Sequence, residues 1–282
     1  MRQTIEDWID EDIGFGDITT EALIPKDTIA NAKIIAKEPG TVAGTEIAKY
    51  IFESSGLRVA ILKPDGSQVY ADGTIMKVKG SARDILSLER TALNILMRMS
   101  GIATETFNIS ASAKAVNPFV KISGTRKTAP GLAKFDNAAI AIGGGETHRF
   151  SLDDMVLIKD NHIATVGGIV KAIELAKKNV SFTKKIEIEV ENSKDAAIAS
   201  KNGADIIMLD NMTPKEIEDT IDILIDFGLR DNIIVEASGG INSENIIDYA
   251  GTGADILSLG YLTHSAKSLD IGLTLILDEK SK

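Results

Sequence analysis

The chain has 282 residues, of which 44% are hydrophobic, and its formal net charge is −10. An acidic chain lacks the positive charge that nucleic-acid binding needs, but it can still carry a local basic pocket for a small anion. The absence of cysteine excludes disulfides, zinc–thiolate and iron–sulfur sites, and thiol nucleophiles. We therefore expect a cytoplasmic protein with no nucleic-acid partner.

The N-terminal sequence MRQTIEDWIDEDIG is acidic and amphipathic, which is unlike a secretory or transit signal. The sequence also contains no run of ~18 apolar residues, the length that suggests a membrane span. The sequence thus predicts no membrane partner.

The first half of the chain alternates short strand-like pieces with glycine turns. The strand-like pieces are residues 32–37, 59–62 and 75–78, and a helical pattern follows at residues 81–99. This succession predicts an α+β domain. We place its boundary near Gly101, so that the domain comprises residues 1–103, and we expect the tail at 265–282 to pack back on it.

The second half alternates β-branched apolar runs with helix-period stretches. The runs are residues 120–124, 155–158, 186–190, 206–209, 233–235 and 256–259, and the helical stretches are 168–178, 193–201, 214–227 and 243–250. The run 155–158 is typical of a strand buried on both faces. Strand–helix alternation indicates a parallel sheet, so residues 104–264 are predicted to form an α/β (TIM-like) barrel of about six units.

In a parallel barrel the site forms where the strands end. Polar and glycine residues follow each predicted strand, and a loop at 143–149 leads into the second one. The candidates are Thr125, Arg126, Lys127, His148, Arg149, Lys159, Glu189, Asp210, Ser238, Gly239, Gly240, Gly260, Tyr261 and His264. Cations, carboxylates and glycine turns are therefore expected to meet at one mouth.

Each candidate alone has an ordinary structural interpretation. A lysine or arginine at a strand end is usually a solvated loop charge, a lone histidine is more often structural, and a Ser-Gly-Gly turn is common. The stripe of Arg90, Asn94 and Arg98 is typical of a solvated helix face. The orderly succession of the groups around a barrel nevertheless favours a site that processes an anion.

The chemistry open to this set is restricted. Glycine turns present backbone N–H groups to a phosphate monoester. Glu189 and Asp210, at the ends of successive strands, suit Mg²⁺, which binds one or two protein carboxylates together with substrate phosphate. Clustered cations hold a small polyanion, and arginine binds carboxylates bidentately. The residues thus predict a site that binds a phosphorylated sugar with Mg²⁺ together with a small carboxylic acid.

Six motifs resemble those of the quinolinate phosphoribosyltransferases, the decarboxylating nicotinate-nucleotide pyrophosphorylases, and cover nearly the whole chain in order. They are ERTALNILMRMSGIAT (89–104), TRKTAPG (125–131), GGGETHRFSLDDMVLIKDNH (143–162), IMLDNM (207–212), EASGGI (236–241) and SLGYLTHS (258–265). The segment EDIGFGDITT (11–20) is similar to the family's opening motif. Departures at Ala129 and in the loop after Pro130 affect no matched ligand.

The resemblance implies a fold, a reaction and an assembly. The fold is an N-terminal α/β sandwich with an incomplete α/β barrel. The reaction joins quinolinate to phosphoribosyl pyrophosphate with Mg²⁺ and yields nicotinate mononucleotide, pyrophosphate and CO₂ for NAD biosynthesis. The assembly is a homo-oligomer, which is at least a dimer and at most a hexamer. In this oligomer Arg90 completes the active site of the neighbouring subunit.

The resemblance also implies roles for individual residues. Quinolinate binding is implied for Arg90, Thr125, Arg126, Lys127, His148, Arg149 and Lys159. Phosphoribosyl and phosphate binding is implied for Glu189, Asp210, Ser238, Gly239, Gly240, Leu259, Gly260, Tyr261 and His264. The catalytic set is Lys127, Lys159, Glu189 and Asp210, of which Glu189 and Asp210 also hold the metal.

Three alternatives remain open at this point. The first is a relative of the same architecture, such as the molybdenum-transport-associated homologues, which LIKDNH (157–162) disfavours. The second is a Schiff-base aldolase that uses Lys159. The third is a non-enzymatic protein that binds a phosphorylated ligand, in which the acidic pair would have little purpose.

Overall fold

The computed structural model describes residues 2–277, so that the end of the tail, 278–282, lies outside the described residues. In chain order the helices are α1 (Arg2–Ile13), α2 (Ile18–Leu23), α3 (Thr45–Glu53), α4 (Ala82–Val116), α5 (Ala133–Ile142), α6 (Asp160–Val166), α7 (Ile169–Asn179), α8 (Ser193–Lys201), α9 (Pro214–Asp226), α10 (Ile246–Ala250) and α11 (Tyr261–His264). The strands are β1 (Ile29–Ala36), β2 (Gly40–Thr41), β3 (Arg58–Ile61), β4 (Gln68–Val69), β5 (Thr74–Ser81), β6 (Lys121–Ser123), β7 (Val156–Ile158), β8 (Ile186–Val190), β9 (Ile206–Asp210), β10 (Ile234–Ser238), β11 (Ile256–Ser258) and β12 (Ile271–Leu277). None of the helices in this part of the chain combines the length and apolar composition needed to cross a membrane.

The chain divides into two compact units. The first contains the residues up to Glu105 and those from Ala266 onward, and the second contains Thr106–Ser265. In the first unit β12, β1, β5 and β3 form an antiparallel sheet in that order. β1 buries every second residue, as expected of a sheet with one face on a core. The tail strand β12 pairs along β1 from Ala36↔Ile271 to Ala30↔Leu277.

Helix α4 is much longer than its sequence pattern predicted. The pattern indicated an end at residue 99, before Gly101, but the helix runs unbroken to Val116, so that prediction was wrong. Gly101 is a packing residue here, because a Cβ on it would lie 2.1 Å from the carbonyl oxygen of Lys267. The glycine therefore admits the backbone of the tail instead of ending the helix.

The second unit contains a six-stranded parallel sheet in the order β6-β11-β10-β9-β8-β7. β6 and β7 stand at its two ends and do not pair with each other within the described residues, so the barrel is incomplete, as predicted. The prediction that 155–158 is buried on both faces was wrong. Only Ile158 is buried in that run, because β7 is an edge strand.

Local capping explains why the barrel helices begin where the sequence indicated. The Asn192 side chain accepts a hydrogen bond from the Asp195 N–H at 2.9 Å at the start of α8. Thr213 and Glu216 form a reciprocal capping box ahead of Pro214 in α9. Such caps satisfy N–H groups that have no partner inside a helix. They fix the loops that leave the strand ends.

Candidate active site

The register of the parallel strands places four polar residues in one row at the carboxyl edge of the sheet. Asp210 pairs with Ser238, Ser238 with Ser258, and Ser258 with Ser123. Paired residues of parallel strands point to the same face, so the row lies in one layer of the barrel interior. The layer below it contains Glu189, Met208 and Glu236, which are also paired in register.

The main cavity of this edge has a volume of 360 Å³. Its lining consists of Thr125, Arg126, Lys127, His148, Arg149, Leu157, Lys159, Glu189, Met208, Asp210, Glu236, Ser238 and Ser258. The structure thus brings the predicted cations and the predicted carboxylates into one cavity. The cavity is locally rich in cations although the whole chain has a net charge of −10, since four of the lining residues are lysine or arginine.

A second cavity of 170 Å³ lies beside the first and is lined by both glycine turns. Its lining is Lys127, Ser238, Gly239, Gly240, Ile241, Asn242, Ser258, Gly260, Tyr261 and His264. Lys127, Ser238 and Ser258 line both cavities. At Gly260 a Cβ would come within 2.9 Å of the Lys127 side chain, so a larger residue there would push Lys127 away from the junction.

Two arginines of the main cavity act on each other electrostatically. Burial lowers the pKa of Arg149, and the charge of Arg126 lowers it further. The Arg149 guanidinium is held by one hydrogen bond from Nη1 to the carbonyl oxygen of Met155, at 3.4 Å. Two like charges held close together are stabilised by a ligand that carries two negative charges.

The carboxylates at the ends of β8 and β9 have different partners. Glu189 forms an ion pair with Lys159, and Asp210 accepts a hydrogen bond from the Asn211 amide at 2.5 Å. Burial raises the pKa of Asp210, and the charge of Glu189 raises it further. Asn211 adopts a left-handed conformation with φ 55. A Cβ on Gly239 would lie 2.3 Å from Asn211 Oδ1, so the amide fits against the glycine turn.

His148, which lines the main cavity, meets two buried carboxyl groups that the sequence did not single out together. Its Nε2 lies 3.3 Å from Glu187 Oε2 and 3.4 Å from Glu236 Oε1. Glu187 and Glu236 are 0% and 1% exposed, and within the described chain both Glu187 oxygens and Glu236 Oε1 have no hydrogen-bond partner. The spacing would also admit a metal ion, but the charge of Arg149 acts on Glu187 and disfavours a second cation there.

The charge of His148 is set by opposing effects. Burial lowers the pKa of its imidazole, but the contacts and charges of Glu187 and Glu236 outweigh burial and raise the pKa to about 10. The Arg149 backbone N–H donates to Nδ1 at 2.9 Å, a contact that favours the neutral ring. The two carboxyl groups dominate because they are almost fully removed from water.

Arg90 and Leu259 stand apart from these groups, whereas Thr125 lies among them. Arg90 is exposed on α4 in the first unit. Leu259 is 1% exposed and lines neither cavity, although its backbone N–H donates to Ser123. Thr125 lines the main cavity, and its hydroxyl accepts the Lys127 N–H at 3.1 Å.

The comparisons with known proteins identify the family. Residues 17–100 match the N-terminal domain of quinolinate phosphoribosyl transferase, and residues 102–274 match its C-terminal domain. The chain belongs to the quinolinate phosphoribosyltransferase family. This confirms the resemblance predicted from the six motifs.

Members of the family from distant organisms are similar over their whole length. A probable nicotinate-nucleotide pyrophosphorylase (carboxylating) of Methanothermobacter thermautotrophicus is 48% identical, with 98% of this chain and 99% of the relative covered. The human nicotinate-nucleotide pyrophosphorylase (carboxylating) is 34% identical over 99% of this chain and 93% of its own. The crystal structure of NadC from Streptococcus pyogenes has a TM-score of 0.90 at 36% identity, covering 98% of this chain and 96% of that one. The predicted fold class is therefore confirmed.

Proposed function

We propose that the protein transfers the phosphoribosyl group of phosphoribosyl pyrophosphate to the ring nitrogen of quinolinate and releases the adjacent carboxyl group as CO₂. The products are nicotinate mononucleotide, a precursor of NAD, and pyrophosphate. The name of the relatives, nicotinate-nucleotide pyrophosphorylase (carboxylating), describes the reverse reaction, in which nicotinate nucleotide is cleaved by pyrophosphate and carboxylated. The proposal rests above all on the cationic cavity that adjoins a glycine-lined cavity across Lys127, Ser238 and Ser258.

The main cavity suits the carboxylates of quinolinate, and the smaller cavity suits the 5′-phosphate of phosphoribosyl pyrophosphate. A dicarboxylate fits the main cavity, where Arg126 and Arg149 repel each other without an anion. The 5′-phosphate fits the smaller cavity, whose Gly239 and Gly240 turn, both at positive φ, carries no side chain that would block approach to the backbone N–H groups. The ribose then lies between them, next to Asp210 and Lys127.

The protein's own residues mainly position and stabilise charge. The Arg126 and Arg149 guanidinium groups hold the quinolinate carboxylates so that the ring nitrogen faces C1 of the ribose. As pyrophosphate leaves, C1 gains positive character, which Glu189 and Asp210 stabilise. The new N–C1 bond leaves the ring nitrogen positively charged, so it can accept the electron pair released when the C2 carboxylate departs as CO₂. A proton then replaces CO₂ at C2.

Glu189 and Asp210 are also the residues that would hold Mg²⁺. They fit a hard cation because both are carboxylates that line one cavity, and carboxylate oxygens are ligands that Mg²⁺ prefers. Burial raises the pKa of Asp210 and the charge of Glu189 raises it further, although Lys159 and Lys127 lower it, so an added positive charge would favour the ionised carboxylate. Bound there, the ion offsets the negative charge of the departing pyrophosphate.

A Schiff-base reaction at Lys159 is less compatible with the site. Such chemistry needs a free amine, whereas Lys159 Nζ is paired with Glu189. In the phosphoribosyl transfer, Lys159 serves as one of the cations of the quinolinate cavity.

The test of the reaction is a direct assay of the purified protein with quinolinate, phosphoribosyl pyrophosphate and Mg²⁺. We expect nicotinate mononucleotide and CO₂ in equal amounts, with both lost on adding EDTA and restored by excess Mg²⁺. Borohydride should trap no adduct on Lys159. Turnover that is unaffected by EDTA would contradict the proposed requirement for Mg²⁺, and absence of turnover would contradict the proposed reaction.

We further propose a cytoplasmic homo-oligomer, at least a dimer, in which Arg90 completes the neighbour's site. In the first unit Phe15, Ile18 and Leu23 are large apolar side chains that are 115%, 82% and 72% exposed. Asp17 holds this segment to α4 through Ser87 at 3.1 Å. Exposed apolar groups next to the helix that carries Arg90 favour an interface.

A shared site has a measurable consequence. Arg90→Ala and Lys159→Ala should each be nearly inactive alone. A mixture that exchanges subunits should recover up to about a quarter of the wild-type activity, because in a mixed dimer one site has both residues intact. Light scattering should give a dimer or larger for both variants. If the mixture stays as inactive as its components, Arg90 serves its own subunit.

A further inference from the structure

The hydroxyl of Ser258 is a buried polar group without a protein partner. Ser258 ends β11 and is 2% exposed, and its Oγ has no hydrogen-bond partner within the described residues. A buried hydroxyl normally finds one, because leaving it unpaired costs the free energy of its lost hydration. The hydroxyl is therefore poised for a group that the protein itself does not supply.

Its surroundings indicate which group that is. Ser258 lines both the cationic cavity and the glycine-lined cavity, together with Lys127 and Ser238. It is paired in register with Ser238, which is paired with Asp210. The hydroxyl thus lies where a ligand that spans both cavities must pass.

We propose that Ser258 is a further binding residue for the phosphoribosyl substrate, and that its hydroxyl donates a hydrogen bond to an oxygen of the 5′-phosphate. The inference rests on the proposed function. It adds a donor to the backbone N–H groups of the glycine turns and to the Lys127 cation at the same junction. A hydroxyl is suited to this place because it can rotate toward a phosphate oxygen without adding charge.

The chain offers a matched control for the burial of the hydroxyl. Ser110, on α4 in the same unit, is 5% exposed and its Oγ also has no partner within the described residues. Ser110 lines neither of the two cavities. Its replacement therefore removes a buried unpaired hydroxyl without touching the site.

The experiment compares Ser258→Ala and Ser110→Ala with the wild-type protein in steady-state kinetics and thermal unfolding. For Ser258→Ala we expect the KM for phosphoribosyl pyrophosphate to rise roughly 10- to 100-fold, the range for losing one hydrogen bond to a charged group. Inhibition by ribose 5-phosphate should weaken by a similar factor. The quinolinate KM should stay within about twofold, and the midpoint of thermal unfolding should be unchanged or higher, since an unpaired group is removed. Ser110→Ala should leave both KM values unchanged.

Two outcomes would overturn the inference. One is an unchanged KM for phosphoribosyl pyrophosphate in Ser258→Ala. The other is a rise in both KM values together with a lower unfolding midpoint, which would make Ser258 a packing residue. Failure of the proposed function is recognised separately, because the wild-type protein would then not turn over at all. Ser258→Cys, whose thiol is a weak donor of similar size, should fall between the wild-type protein and Ser258→Ala.

Discussion

Replacing His148 with leucine is expected to destabilise the barrel unit by about 3–5 kcal/mol at neutral pH, the usual cost of leaving a buried charge without its partner. Leucine nearly preserves the volume of the side chain but cannot neutralise Glu187 and Glu236, which are 3.3 and 3.4 Å from Nε2. The measurement is urea unfolding of both proteins, followed by circular dichroism. Restoring neutrality by adding Glu187→Gln and Glu236→Gln to His148→Leu should recover most of the loss.

The pH dependence separates this effect from simple loss of packing. The pKa of His148 is raised to about 10, above the ~6.5 of an unfolded histidine. Its contribution to stability is therefore complete below about pH 6.5 and is lost as the pH rises toward 10. Burial also raises the pKa of Glu187, so protonation of this carboxyl group stabilises the variant as the pH falls. The difference between the two proteins should be largest near neutrality and shrink on both sides, whereas a packing defect would give a constant difference.

The strand–helix rhythm was predictable because it depends on neighbours in sequence. The alternating apolar runs placed all six barrel strands to within three residues, and the helical stretches 193–201 and 214–227 gave the starts of α8 and α9, where Asn192 and Thr213 cap the helices. The positions after each strand then indicated the cavity, since parallel strands share one carboxyl edge. These features depend on residues that are close together in sequence, so the folded structure retains them.

Features that depend on distant contacts could not be predicted in this way. Gly101 was interpreted only as the place of a domain boundary, because its contact, the backbone of Lys267, is remote in sequence. Glu187 alternates with Glu189 and Glu191 in the sequence, and Glu236 begins the EASGGI motif, but only the fold brings Glu187 and Glu236 to His148. Ser258 likewise begins SLGYLTHS without any local sign that its hydroxyl would be buried and unpaired.

Replacing Arg149 with alanine should raise the quinolinate KM about 100-fold or more. Arg149 can give a carboxylate two charge-assisted hydrogen bonds, each worth about 1.5–3 kcal/mol, and every 1.4 kcal/mol is about tenfold. Relief of the repulsion from Arg126 offsets part of this, because the remaining arginine no longer faces a like charge. The KM for phosphoribosyl pyrophosphate should stay within about threefold, as the phosphate turns are unchanged. Steady-state kinetics with each substrate varied in turn provide the measurement.

The charge and the shape of the guanidinium can be distinguished. Arg149→Lys retains the charge but loses the bidentate geometry, so its KM should lie between those of Arg149→Ala and the wild-type protein. Lys184→Ala is the matched control, because Lys184 lines a neighbouring cavity with Arg149 but is absent from the main one. It removes the same unit of charge and should leave the quinolinate KM unchanged. Equal increases for Lys184→Ala and Arg149→Ala would mean that the general field of the protein, and not a contact, holds the dicarboxylate. A selective increase for Arg149→Ala would place one carboxylate of quinolinate on this guanidinium.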